Sequence, residues 1–428
     1  METLACGHAA PVAGLCCVHL LENEDAGYYI RFTGLGSSMD LLCEDCSRVS
    51  HPGQAHRPIC ADCQQSTMGR IFDIIGVIGR PESRARATTL HFEHREHAFP
   101  SLAGRKPLAV AALGASSWLA VDAEGTLLRL DFNEDTPEQL GSVSLTSIDF
   151  AAPLALHVSA CARFAAVVHQ RGSIGVVVDL STGAVTMKLS RGSYHTEHCD
   201  FSIAFFRDAE RTLLVHATAW NRLDLSDPAT GALLSIRERP PRGEPNQPIP
   251  AHELDYFHCG LTVSPNDEWL VDDGWVWHPV GILTSLSLGR WVRDNVWESE
   301  DGPSRRRLRE IPYHWDGPRC FVSPRILATW GFGSDADMLI DAALFHDVST
   351  GKLLRWFPGP RGDFECDGNL LLASAADTGT AVWDIETGEK LHEDATLKPT
   401  AWHPVSRRFL TVLPKGGLRE SSLSGTAW

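Results

Sequence analysis

Beyond about residue 86, apolar and polar positions are arranged in short runs separated by turn residues, and the period is that of strands. Ile174-Gly-Val-Val-Val178 and Ala184-Val-Thr-Met187 are typical runs. Four turns between such runs share one motif, Asp-x-x-Thr-Gly. They are Asp179 to Gly183, Asp227 to Gly231, Asp347 to Gly351 and Asp384 to Gly388. The motif has a hairpin's chemistry: Asp accepts backbone N–H groups across the turn, and Gly takes the positive φ that closes it. A second pattern of strand, Pro-led turn and strand occurs at Ser264-Pro265-Asn266-Asp267-Glu268-Trp269-Leu270. It recurs over Trp402-His403-Pro404-Val405-Ser406-Arg407-Arg408-Phe409-Leu410.

Units repeating at such intervals point to a propeller or a solenoid. The alternation and the turn chemistry exclude helical repeats. Gly379-Thr380-Ala381-Val382-Trp383-Asp384 resembles the WD-repeat family, with the Trp-Asp ending intact; Val178-Asp179, Ser226-Asp227 and His346-Asp347 are degenerate versions of it. The expected fold class is all-β: a seven-bladed β-propeller over residues 86–428, preceded by a small N-terminal double-zinc module. Strand groups place the blade starts near Pro107, Ala152, Phe201, His258, Glu310, Gly362 and Pro399. The last blade shows three strands, and Thr88–Ala98 is expected to supply the fourth, closing the ring.

Residues 67–85 read as a linker. Within it, 68–79 is apolar with near-helical spacing, which suits a short helix first, with a buried strand a close second reading of so short a run. The His91-Phe92-Glu93-His94-Arg95-Glu96-His97 segment reads as an edge strand. Alternation sends His94 to the face opposite His91 and His97, so the three do not converge on one ion.

Residues 1–66 carry different chemistry. Seven of the 12 cysteines fall in the first 63 residues. Six of them, together with two histidines, make four pairs in order: Cys6 with His8, Cys16 with His19, Cys43 with Cys46, and Cys60 with Cys63. Eight such donors complete two tetrahedral sites for two structural zinc ions, with no position left open for a substrate. Spacing does not say which pairs share a metal; a cross-braced arrangement would join the first to the third and the second to the fourth. Cys17 competes with Cys16, and the two-residue gap to His19 favours Cys16. These pairs, with Ala10-Pro11 before Cys16 and Leu42-Cys43-Glu44-Asp45-Cys46, resemble B-box-type zinc fingers. The resemblance implies protein contacts rather than catalysis. The chain departs from that pattern in a first gap one residue short and in a long segment between His19 and Cys43.

The net charge of −16 argues against nucleic acid, whose binders need a basic stripe. The one dense basic run, Ser304–Arg309, reads as a solvated loop. No run of about 18 apolar residues predicts a membrane helix, and the expected location is the cytoplasm. Seven tryptophans lie between 269 and 330. Trp269, Trp275 and Trp330 are expected in the core, whereas Trp291, Arg293 and Trp297 are candidate partner-binding residues. No P-loop, dinucleotide fingerprint or nucleophile elbow is present. The first expectation is therefore a non-enzymatic scaffold or adaptor for other proteins, with the zinc module as a second contact or a self-association element. The alternatives are a hydrolase with its site in the propeller channel and a ubiquitin-ligase-associated subunit.

Overall fold

A computed structural model describes residues 4, 6–23, 25–33, 39–49, 55–68, 74–79, 81–99, 106–144, 146, 148–238, 251–414 and 417–426. The fold is all-β, a seven-bladed propeller preceded by a small sheet of its own. Contacts divide the chain into two compact units. One comprises Met1–Thr88, His278–Ile282 and Arg307–Glu393; the other comprises Thr89–Trp277, Leu283–Arg306 and Asp394–Trp428.

In the first unit, the N-terminal module is a five-stranded sheet of β1 (Gly14–Cys17), β2 (Tyr28–Phe32), β3 (Met39–Leu42), β4 (His56–Ile59) and β5 (Ile74–Ile78), in the order β4-β1-β3-β2-β5. Three short helices interrupt it: α1 (Val18–Glu22), α2 (Glu44–Ser47) and α3 (Ala61–Met68). Of the 68–79 run, Met68 ends α3 and Ile74–Ile78 form the strand β5, parallel to β2, so the strand alternative holds for the described part beyond Met68. Ile74, Ile75, Val77 and Ile78 are β-branched, which stiffens χ1 and suits a pleated surface. Residues 69–73 lie outside the described set.

Among the described residues the module has no separate core. Tyr28, Ile30, Met39, Leu41 and Leu42 share one buried cluster with Phe332, Ala342, Leu344 and Trp356 of the fifth blade. The Trp356 ring stacks on Phe332 at 4.3 Å and meets Phe32 edge-on at 5.9 Å. That blade runs Arg319–Phe321, Ile326–Phe332, Ile340–Asp347 and Lys352–Pro358; the sixth runs Asp363–Asp367, Leu370–Ala375, Gly379–Asp384 and Glu389–Asp394. A two-residue strand, β6 (Arg84–Ala85), lies parallel to the sixth blade's outer edge.

In the second unit, the first two blades are four-stranded, over Ala109–Ser142 and Leu154–Ser190. Among the described residues the third has three strands, Ile203–Asp208, Arg211–Ala219 and Arg222–Ser226. Its outer edge is covered by the following segment, where the N–H of Leu234 donates to Leu225 O and Arg237 donates to Leu223 O. The last blade is completed by β7 (His91–His97), antiparallel to Leu418–Ser424 over seven residue pairs from His91–Ser424 to His97–Leu418. The closing strand expected from the sequence is therefore present.

Two expectations need correction. The fifth blade begins at Arg319 rather than near Glu310, because Arg306–Pro312 is the outer strand of the fourth sheet. The same finding overturns the solvated-loop reading of Ser304–Arg309. Arg309 is buried and donates to Trp330 O and Gly331 O, and the Arg305 guanidinium donates to Ser299 O and Glu300 O. A guanidinium with several donors can satisfy carbonyls that a short strand leaves open.

The four Asp-x-x-Thr-Gly turns form alike. The N–H of Gly183, Gly231, Gly351 and Gly388 donates to the carbonyl of the turn's own aspartate at 2.8–2.9 Å, with glycine φ between 70° and 77°. The aspartate carboxylate accepts the N–H two residues on: Ser181, Ala229, Ser349 and Glu386, all within 2.9 Å.

Candidate metal centre

The eight-donor expectation resolves into two compact groups. Cys6, His8, Cys60 and Cys63 form one; Cys17, His19, Cys43 and Cys46 form the other; within each, all donor atoms lie within 4.8 Å of one another. The pairs are nested, first with fourth and second with third, so the cross-braced arrangement does not occur.

Local structure brings the donors together. Cys43 precedes α2 in an extended conformation and Cys46 sits in its first turn; Cys60 directly precedes α3 and Cys63 sits in its first turn. Each C-x-x-C knuckle is thus a helix start, where unpaired N–H groups favour thiolate. Cys17 is the extended residue before α1, and His19 lies within that helix.

Cys17, rather than Cys16, belongs to the second group. Neighbouring residues of a strand face opposite ways, so β1 presents one of the two thiols to His19. The Cys43 N–H donates to Cys17 Sγ at 3.2 Å, whereas Cys16 Sγ turns back to the Cys17 carbonyl at 3.6 Å. Counting a two-residue gap to His19 selected the wrong partner.

The geometry fits a tetrahedral ion. Bonds of about 2.3 Å to sulfur and about 2.0–2.1 Å to nitrogen imply S···S edges of about 3.8 Å and S···N edges of about 3.5 Å. In the first group, Cys6 Sγ lies 3.8 Å from Cys60 Sγ, and His8 Nδ1 lies 3.4 Å from Cys60 Sγ and from Cys63 Sγ. In the second, His19 Nδ1 lies 3.4 Å from Cys43 Sγ and 3.5 Å from Cys46 Sγ. Three sulfurs and one nitrogen per group form a soft, closed donor set.

The thiols cannot all ionise unaided. Burial, reinforced by neighbouring thiols, pushes Cys46 and Cys63 up to about 12, and burial also raises Cys17. A hydrogen bond from the Cys60 backbone pulls Cys6 down to about 6. A dication at the centre of each group would supply the charge that three coexisting thiolates require.

The other candidate residues are dispersed. Trp291, on α4 (Leu288–Arg293), is buried in the core with Phe206, Leu270 and Leu288, so it is no partner-binding residue. Arg293 is exposed and pairs with Asp208 at 2.5 Å. Trp297 is half-buried just ahead of α5 (Glu298–Asp301), stacked on His252 at 4.2 Å with the Arg237 guanidinium 5.4 Å above its ring. Of the expected core tryptophans Trp275 is buried, while Trp269 and Trp330 are half-buried. Sequence reasoning did not single out Glu365. Burial, with Asp363 beside it, raises its carboxyl to about 8.

No family model matches this chain, and no curated protein matches it. Among solved structures, the crystal structure of BamB from Moraxella catarrhalis is similar at 14% identity and a TM-score of 0.44, covering 74% of this chain and 85% of that one. No helix among the described residues is long and apolar enough to cross a membrane.

Proposed function

We propose that the protein is a non-enzymatic interaction scaffold of the cytoplasm. In this reading a WD-repeat-type propeller is the platform, and a B-box-like module holding two structural zinc ions is a second protein contact or a self-association element. The observation that carries the reading is the closure of both metal groups: four protein donors each leave no coordination position for a substrate. Zinc is the ion such sulfur-rich tetrahedral sites favour. The propeller assignment to WD repeats draws on the Trp383-Asp384 ending and the four like-built turns.

Val12 and Val49 stand exposed on the module at 58% and 51%. A Val12→Glu/Val49→Glu variant is expected to keep two zinc ions per chain and lose a subset of co-purifying proteins or the chain's own oligomerisation. A companion variant, Arg293→Glu/Trp297→Ala, tests the propeller surface. If both variants retain every association of the wild type, the scaffold reading fails.

Glu365 favours a second reading, a hydrolase. A carboxyl raised to about 8 is protonated at neutral pH and suits a general acid. A panel of chromogenic ester, phosphate and glycoside substrates tests it. Turnover that vanishes in Glu365→Gln would favour the enzyme, and no turnover in the wild type would remove it.

A further inference from the structure

We infer that His195, Glu197 and His198 form a third metal site, separate from the two thiolate groups and of a different kind. Their donor atoms lie within 4.8 Å of one another. His195 Nδ1 is 3.6 Å and His198 Nε2 is 3.3 Å from Glu197 Oε1. For bonds of about 2.0–2.2 Å, tetrahedral coordination puts such edges at about 3.3–3.6 Å.

The backbone is set for this convergence. His195 adopts a left-handed conformation, φ 53° and ψ 30°, as the residue before a single 3-10 turn over Thr196–His198. That reversal folds three side chains at i, i+2 and i+3 onto one point. Non-glycine residues adopt this conformation infrequently, and such strain gathers at functional positions. The His195 ring is held edge-on between Tyr194 at 4.5 Å and Trp277 at 5.1 Å, with Phe257 at 5.9 Å. A ligand immobilised by packing loses little freedom on binding a metal.

The three histidines of β7 make the contrast. His94 bonds Ser421 Oγ and pairs with Asp394, His97 packs on Phe99, and strand alternation keeps them apart.

Two imidazoles and one carboxylate suit a divalent transition metal such as zinc rather than magnesium or calcium, which prefer oxygen alone. Three protein donors leave a fourth position for water, the composition of an exchangeable site rather than a closed one. It faces solvent beside the half-exposed rings of Tyr194 and Trp277, at 46% and 42% exposure.

The test uses the tag-free full chain with its thiolate groups already filled with zinc, dialysed to equilibrium against buffered zinc. Wild type is expected to take up a third equivalent, and Glu197→Gln and His198→Ala to bind it about tenfold more weakly or worse. His195→Asn, a residue tolerant of the left-handed conformation, provides a third variant. Cobalt offered to the zinc-loaded chain should give an absorption band that shifts on adding imidazole, which reads the open position. Uptake that stops at two in the wild type, or a third equivalent bound equally well by all three variants, would overturn the site.

Discussion

Adjacent residues with the same side chain can have different duties, and Cys16 and Cys17 show it. Cys17→Ser is expected to leave the chain with one zinc in place of two by mass spectrometry. Cys16→Ala should retain both and lose only packing. The eight-donor inventory was legible because paired cysteines and histidines at short spacing have few other uses. The choice between two neighbouring cysteines was not legible, since it depends on which face of β1 meets α1, a matter of strand register. Trp291 carries the same lesson for hydrophobic residues. Charged neighbours suggested a surface position, but a six-residue helix can bury one face and expose the other. Trp291→Ala should therefore cost about 3–5 kcal/mol in denaturant unfolding. Arg293→Ala, which breaks one exposed ion pair, should cost no more than about 1 kcal/mol. Equal effects would return Trp291 to the surface.

Among elements, the strand-turn-strand units were the most legible part because the turn dictates its own residues. Asp, Thr and Gly each meet a backbone requirement that can be written down without tertiary structure. Less legible were the third blade, which has three strands among the described residues, and the start of the fifth. Both depend on how side chains such as Arg237 and Arg309 replace ladder partners, and no local pattern records that. The turns also set an acid response. Burial raises Asp347, but the hydroxyl and N–H of Ser349 and the Arg325 guanidinium outweigh it and hold the carboxyl below its ordinary value. A depressed acid gives its full stabilisation above the unfolded pKa, and this is lost as pH falls below about 4. His346, one residue earlier, is buried, and burial followed by the Arg309 charge depresses its imidazole to about 3. It must be neutral in the fold, so its contribution is complete above about 6.5 and drains as pH falls from there towards 3. His346→Leu should flatten the unfolding free energy between pH 6 and 4 by about 1.4 kcal/mol per pH unit, the slope of one proton. The steeper loss below pH 4 should persist. An unchanged slope between pH 6 and 4 would mean that His346 is already solvated in the native state.

For the whole molecule, the shared core of module and fifth blade decides what ions held in the two Cys/His groups would stabilise. A segment of fewer than about 80 residues seldom gains more than about 3–5 kcal/mol from its own core. Structural zinc supplies roughly 10–16 kcal/mol in isolated fingers, as much as the whole stability of a typical domain, about 5–15 kcal/mol. Here Tyr28, Ile30 and Leu41 are buried against Phe332, Leu344 and Trp356, so stripping the metals must also expose part of the blade. Hydrogen exchange on chelator-treated protein at neutral pH is the direct measurement. Protection should fall in β1 to β5 and also in Ile326–Phe332, Ile340–Asp347 and Lys352–Pro358. The second unit's Phe164–His169 and Ile174–Asp179 should keep theirs, since their buried side chains pack within clusters of that unit alone. If the fifth-blade strands stay protected while the module opens, the shared cluster contributes nothing to the blade, and the module is an appendage whose metals stabilise only itself. If they open together, zinc occupancy sets the stability of a propeller blade, and metal supply controls how much of the platform is available to bind.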